Sequence, residues 1–426
     1  MVLFLFIVIY LALVLIRPQE YPGWPFPGVP FLPMALAAAL LAWLLSRNKR
    51  FDAPQYPLVV MFLAATCISV LMTGWAGGAL QQFSDFIATV VSFVLLANAI
   101  DTRRKVVATM AVFVLCALVL ALHGVDQASS GTGWTGTELV NDGRIQYLGI
   151  FSDPNDLGMF FVMCVPMAVY LGGRGGLMGL RRLFWWCACL LLLYGIYLTH
   201  SRGAMLAVIT MAGMYLWVRR GALTAGMLAG VAVLALQLMP SRMGDLDVQE
   251  ESAMGRVEAW YEGIQMLASH PVFGVGTGRF IEYHHLTAHN SFVLVLAENG
   301  LVGFAIWLAF VSYCFWMMYR ILRHEPEFSA GEEEQAWAWH EERRVTLALL
   351  VSLTGFFTTA FFLSRSYVIL LYLLAALVVA HFSLVRDRAP DIPPLLLREH
   401  LLRWPLVAVA ATFALYVVVK VLLSVG

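Results

Sequence analysis

One histidine and a few arginines are the residues of this sequence whose types and spacing could do chemistry. His289 lies in Thr287-Ala288-His289-Asn290-Ser291-Phe292, just before a long apolar run. Its imidazole can take a proton near neutral pH, which suits general-base work on a hydroxyl. A lone histidine at such a boundary also has a purely structural use, and Asn290 or Ser291 could cap a helix there. Arg202, in Thr199-His200-Ser201-Arg202-Gly203-Ala204, falls between two apolar runs joined by almost no loop. A charged group in that position is costly, so it either snorkels at a helix end or holds an anion.

Gly255-Arg256-Val257-Glu258-Ala259-Trp260-Tyr261-Glu262-Gly263 reads as a short helix. Arg256, Trp260 and Gly263 share one face at i, i+4 and i+7. A guanidinium one turn from an indole suits a sugar phosphate, with charge on the phosphate and stacking on the ring. The plainer reading is an amphipathic helix lying on a membrane. His270-Pro271-Val272-Phe273-Gly274-Val275-Gly276-Thr277-Gly278-Arg279-Phe280 alternates glycines without a preceding strand. It is a poor dinucleotide loop and reads as a tight turn where backbone can approach a ligand. Arg144, Arg279 and Arg365 are secondary anion candidates. Asp153-Pro154-Asn155 marks a helix N-terminus. Asp245-x-Asp247 has the form of a metal-holding acidic pair, a common form by chance.

These residues are set among apolar blocks. The 426 residues are 61% hydrophobic and 13% charged, with 27 basic against 27 acidic residues and a mean hydropathy of +0.78. Soluble domains carry about a quarter charged residues, so a soluble enzyme and a basic nucleic-acid binder are both excluded. About 20 apolar residues cross a bilayer as a helix. Thirteen segments approach that length: 2–16, 29–45, 57–74, 83–100, 105–123, 157–172, 183–199, 203–218, 222–239, 291–319, 345–363, 366–385 and 404–423. The expected fold is therefore an all-α polytopic membrane protein of 12–13 transmembrane helices, residues 1–426 forming one integral-membrane domain. The first segment lacks a basic leader and a small-residue cleavage site and is expected to be a retained span. All six cysteines fall inside apolar runs and read as small hydrophobes.

Lys and Arg sort by side. Alternate gaps, beginning with Arg47-Asn48-Lys49-Arg50, hold 19 basic residues; the other set holds Arg17, Arg144, Arg202, Arg242, Arg256, Arg279 and Arg365. The first set is expected in the cytoplasm, with 320–344 as a cytoplasmic loop whose Glu332–Glu334, Glu341 and Glu342 form a solvated face. Loops 124–156 and 240–290 then face outward. Trp24, Trp43, Trp75, Trp134, Trp217, Trp260 and Trp404 lie near span ends, as interfacial anchors do. The 240–290 loop is net acidic, so any anion it binds is held by individually placed arginines.

In this order and spacing the motifs resemble the O-antigen ligase/polymerase family of bacterial envelope glycosyltransferases. The matching pieces are Ser201-Arg202-Gly203, Gly255-Arg256-x-x-x-Trp260, Pro271–Phe280, His289-Asn290-Ser291-Phe292, Glu298-Asn299-Gly300-Leu301-Val302-Gly303 and the Phe151–Gly158 stretch. Together they cover roughly 140–310. The resemblance implies a GT-C type enzyme of the bacterial inner membrane. Such an enzyme takes a glycan from undecaprenyl diphosphate on the periplasmic side, without a metal or cofactor. Carried over, His289 is the general base on the acceptor hydroxyl. Arg202 and Arg256 clamp the diphosphate, with Arg144, Arg279, Trp260 and Asn290 as further substrate-binding residues. The ligase branch, whose acceptor is lipid A core, is favoured. A repeat-unit polymerase and a protein O-oligosaccharyltransferase are the alternatives within the family. Outside it stand a transferase using Glu20 as its acid and a lipid-linked glycan transporter without chemistry.

Overall fold

The computed structural model describes residues 2–140, 143–174, 179–238, 246–329 and 331–425, giving backbone alone for 231–238, 246–253 and 425. In hydrocarbon no water is available to backbone amides, so each apolar segment satisfies them within itself as a helix. The helices are α1 (Val2–Ile16), α2 (Phe31–Leu44), α3 (Gln55–Leu71), α4 (Ala76–Ala99), α5 (Arg103–Ser130), α6 (Pro154–Gly172), α7 (Leu180–Leu198), α8 (Arg202–Arg220) and α9 (Ala222–Leu238). They continue with α10 (Leu246–Ser269), α11 (Phe280–Tyr283), α12 (Ser291–Arg323), α13 (Glu333–Ala360), α14 (Ile369–Arg388), α15 (Leu397–His400) and α16 (Arg403–Val425). Every one of the thirteen apolar segments is helical. Among the described residues, seven helices are long and apolar enough to cross a membrane, and α1, α2 and α3 are shorter apolar ones. The protein is an all-α polytopic membrane protein. No strand occurs among the described residues, only two isolated bridges within 132–144.

α6 and α14 are apolar on all sides and lie buried at the centre, whereas α7 and α16 present most of their surface outward. That follows from patterning: a helix apolar all round is either enclosed by other helices or by lipid. Four cysteines (Cys116, Cys164, Cys189, Cys314) are buried, as small hydrophobes would be, while Cys187 is exposed on α7.

Charged residues gather at two opposite ends. At one end Arg50 pairs with Asp387 at 2.6 Å, Arg386 with Asp52 at 3.3 Å, and Arg388 with Glu342. Here the expectation of a solvated acidic face fails in part. Glu341 and Glu342 are buried, because Arg344 and Arg388 supply the partners that let the charge leave water. The other end carries 131–153, 199–202, α10, 270–290 and 361–368. The first of these begins later than expected, since α5 runs on to Ser130. Nearly half of the stretch expected to be one large loop is α10, a 24-residue helix.

Candidate active site

Hydrogen bonds fasten the segment before α12 to the α13–α14 connection. Thr287 Oγ1 donates to Ser364 Oγ (2.8 Å), Ser291 Oγ to the Leu363 carbonyl (2.6 Å) and Ser366 Oγ to the Ser291 carbonyl (2.8 Å). The Arg365 amide donates to Ser291 Oγ at 2.9 Å. Asn290 is buried as the α12 cap, its Oδ1 accepting from the Phe292 and Val293 amides at 2.9 and 3.1 Å. Of the two capping candidates, Asn290 does the capping. Fixed on both sides, His289 is held half-buried with a left-handed backbone, φ 46°. The non-glycine residues with such a backbone among those described are Arg17, His200 and His289, all at this end. Each costs on the order of 1 kcal/mol and persists only where surroundings impose it.

A second set of contacts ties four segments together around that histidine. Asp153 caps α6, accepting from the Asn155 amide at 2.7 Å. Arg365 Nε donates to Asp156 at 2.5 Å, and Arg365 lies 3.5 Å from Asp153. Arg144 reaches from Asn155 Oδ1 (3.0 Å) to the Thr199 carbonyl (2.9 Å). Thr199 closes α7, and Ser201 caps α8 by accepting from the Ala204 amide. Arg202 is thus the first residue of α8, exposed at its mouth.

α10 brings the remaining charge. Trp260 is buried edge-to-face against Phe361, ring centroids 5.6 Å apart. It anchors α10 to the α13 end and leaves no open face for a sugar. One turn earlier, Arg256 is half-buried, its positive charge disfavoured by burial and then by the Arg202 guanidinium. The His289 imidazole is likewise lowered, first by burial and then by Arg256 and Arg365, with Asp153 opposing. Arg202 thus bears on Arg256, and Arg256, Arg365 and Asp153 bear on His289. The arrangement offers a neutral imidazole beside cations that can receive a polyanion.

The glycine loop has two sides. One packs backbone against backbone, and the other lines a cleft. α12 is interrupted at Gly300 (φ 61°), and 271–276 supplies the missing partners. The Val275 amide bonds the Ala297 carbonyl, Gly276 that of Glu298, and Leu301 and Val302 those of Pro271 and Val272. A Cβ on Gly274 would lie 2.4 Å from the Glu298 carbonyl carbon, and one on Gly300 2.4 Å from the Val272 oxygen. Glu298 accepts from the Tyr367 hydroxyl at 2.8 Å, and Asn299 donates to that hydroxyl at 2.6 Å. The Glu298-Asn299-Gly300 motif is a lock that lets a helix break inside the bundle.

Arg279 pairs with Glu282 at 2.6 Å beside that cleft, which has about 480 Å³ and is lined by residues 270–275 of the loop with Thr73 and Tyr283. Glu20 is exposed and paired with Arg17 at 2.6 Å. Asp245 and Arg242 lie outside the described residues, as does the Asp247 side chain. Sequence reasoning gave Asp153 only a capping role and passed over Asp156, Ser364 and Ser366. The polar triplet Ser364-Arg365-Ser366, interrupting two apolar runs as Ser201-Arg202 does, was the available signal.

Residues 187–308 match the family described as O-antigen ligase. Residues 2–175 match a family of unknown function, DUF5935. No curated protein matches the chain. The first stretch contains Arg202, Arg256 and His289, so the resemblance holds where the motifs carry it. Asp153 and Asp156 come from the second stretch, and Arg365 lies beyond both.

Proposed function

We propose that this chain, which carries an O-antigen ligase family domain over residues 187–308, is a glycosyltransferase of the outer face of a bacterial inner membrane. It passes a glycan from undecaprenyl diphosphate to an acceptor hydroxyl. The observation that carries the reading is that Arg202, Arg256 and His289 lie at one end of the bundle, Arg202 bearing on Arg256 and Arg256 on His289. The 19-to-7 sorting of basic residues supports an outward-facing site.

In the reaction the acceptor O–H gives its proton to the neutral His289 imidazole. The oxygen attacks the anomeric carbon, and the bond from that carbon to the diphosphate oxygen breaks on the opposite face. Configuration inverts, and the electron pair leaves on undecaprenyl diphosphate. Arg202 and Arg256 meet the negative charge that develops on the departing oxygen, a stabilisation worth about 3 kcal/mol per well-placed donor in a water-poor site. Arg365, already neutralised by Asp156 and Asp153, holds the histidine segment in place.

Lipid A core is the acceptor we favour, with a second lipid-linked repeat or a Ser/Thr side chain as the alternatives within the family. The test is transfer by the purified chain in proteoliposomes, using an undecaprenyl-diphosphate glycan and each acceptor in turn. Release of free lipid diphosphate coupled to one acceptor supports the reading. Translocation of the donor without cleavage would make the protein a transporter and end it.

A further inference from the structure

At the end of the bundle opposite His289, α5, α6 and α7 border an open groove of about 680 Å³. Its mouth carries Arg104, Arg174 and Arg181; its walls include Val107, Phe184 and Trp185. On α5 the lining residues Arg104, Val107, Ala108 and Ala111 fall at i, i+3, i+4 and i+7, one stripe running about 10 Å down the helix. On α7 Arg181 and Trp185 stand one turn apart. Charge at the mouth thus gives way to an apolar groove between two helices, floored by alanines.

The charges are set against their own helices. Arg103, Arg104 and Lys105 occupy the first turn of α5, and Arg181 and Arg182 that of α7, with no acidic residue in either first turn. Helix N-termini favour negative charge, so each cluster adds cation to a positive pole. Some arginines at this end are matched by acids, Arg50 by Asp387 and Arg388 by Glu342. Among the described residues Arg104 and Arg181 have no acidic partner within ion-pair distance. Arg174 lies 3.9 Å from Glu341, a carboxylate that Arg344 already holds. An anion is the missing element, and the groove behind it takes an acyl chain.

We propose that this groove binds an anionic glycerophospholipid, its phosphodiester between Arg104 and Arg181 and one acyl chain along the Val107–Ala111 stripe. Basic pockets between membrane helices are built to hold such headgroups. The volume falls within the range of small-molecule sites, about 300–1,000 Å³. The bound lipid would brace α5, α6 and α7 at the end away from the chemistry. The site is independent of the glycosyltransferase reading.

The experiment uses the full chain, delipidated in detergent and titrated with phosphatidylglycerol, with bound lipid counted by native mass spectrometry. Phosphatidylcholine and inorganic phosphate serve as the two controls on source. Phosphatidylglycerol is expected to bind at one saturable site, phosphatidylcholine to bind far more weakly, and phosphate not to displace the lipid. The double variant Arg104→Gln, Arg181→Gln should weaken binding roughly tenfold or more, from about 1 kcal/mol lost per removed cation. Arg219→Gln with Arg220→Gln, two charges removed at the α8 C-terminus, should leave it unchanged. Ala108→Trp, which fills the groove and keeps the charges, should also lose the lipid. Equal weakening by both arginine pairs would reduce the effect to general surface charge and overturn the site. Displacement by inorganic phosphate would show a small-anion site instead, and undiminished binding in Ala108→Trp would remove the groove from the account.

Discussion

Both ends of the bundle carry arginines, and they use them differently. At the end away from His289 a subset is balanced by acids drawn from the helices: Arg388 and Arg344 hold Glu342 and Glu341, and Arg50 and Arg386 hold acids on other segments. At the other end the paired arginines, Arg144 and Arg365, do structural work, while Arg202 and Arg256 oppose one another. A buried pair is neutral toward a passing anion. Under the proposed function, a guanidinium disfavoured by its neighbour gains when a diphosphate arrives beside it. Pairing then separates the arginines that hold the fold from the two that meet the diphosphate.

Substitutions at the two ends should therefore fail in different ways. His289→Ala has the largest expected effect, a loss of about 10²–10⁴ in turnover, typical of removing a positioned base. The protein should remain monodisperse in detergent. Transfer at a tenth of the wild-type rate or better would remove His289 from the chemistry. Arg256→Gln comes next, with a loss of about 10²–10³ that Arg256→Lys recovers only in part, because an ammonium cannot bond two phosphate oxygens in a fork. Arg388→Gln, at the far end, should behave oppositely. It strands the Glu342 carboxylate, lowers the thermal midpoint, and leaves the rate per folded molecule near wild type. Were Arg388→Gln to abolish turnover in a stable protein, the division between the ends would collapse.

Most of the helical frame was legible because its cause is local. A run such as 157–172 has too little polarity to be anything but a span, and it forms α6 almost to the residue. His289 and Arg202 stood out as candidates because each borders such a run, and Arg256 because it lies one helical turn from Trp260. What escaped is what three dimensions supply. Asp156 gives no sign in sequence that its partner is Arg365, 209 positions away. The 270–280 glycines suggested backbone approach to a ligand, and only the break in α12 shows Gly274 also fitting backbone to backbone beside Gly300. Trp260 had the spacing for a stacking platform, but its distance to Phe361 is a tertiary fact. Glu341 and Glu342 looked solvated because Arg388 lies 46 residues further along the chain than Glu342.

The smallest expected effects are the sharpest, because they have signs. Burial, Arg256 and Arg365 disfavour the His289 imidazolium, and Asp153 favours it. A base must be neutral, so activity falls as pH drops through its pKa, which lies below the usual histidine range in the free enzyme. Arg365→Gln removes a cation, raises that pKa, and should move the acid limb of kcat/KM to higher pH. Asp153→Asn, which keeps the cap oxygen for the Asn155 amide, removes an anion and should move the limb lower. The donor's own diphosphate, seated on Arg202 and Arg256, acts as a third charge. It neutralises the cations and favours imidazolium, so the limb of kcat, which reports the donor complex, should lie above that of kcat/KM. Donor binding then makes His289 a stronger base at the moment a base is needed. Superimposable limbs for kcat and kcat/KM would mean that the diphosphate does not sit beside His289. The arginines would then be clamps for something else.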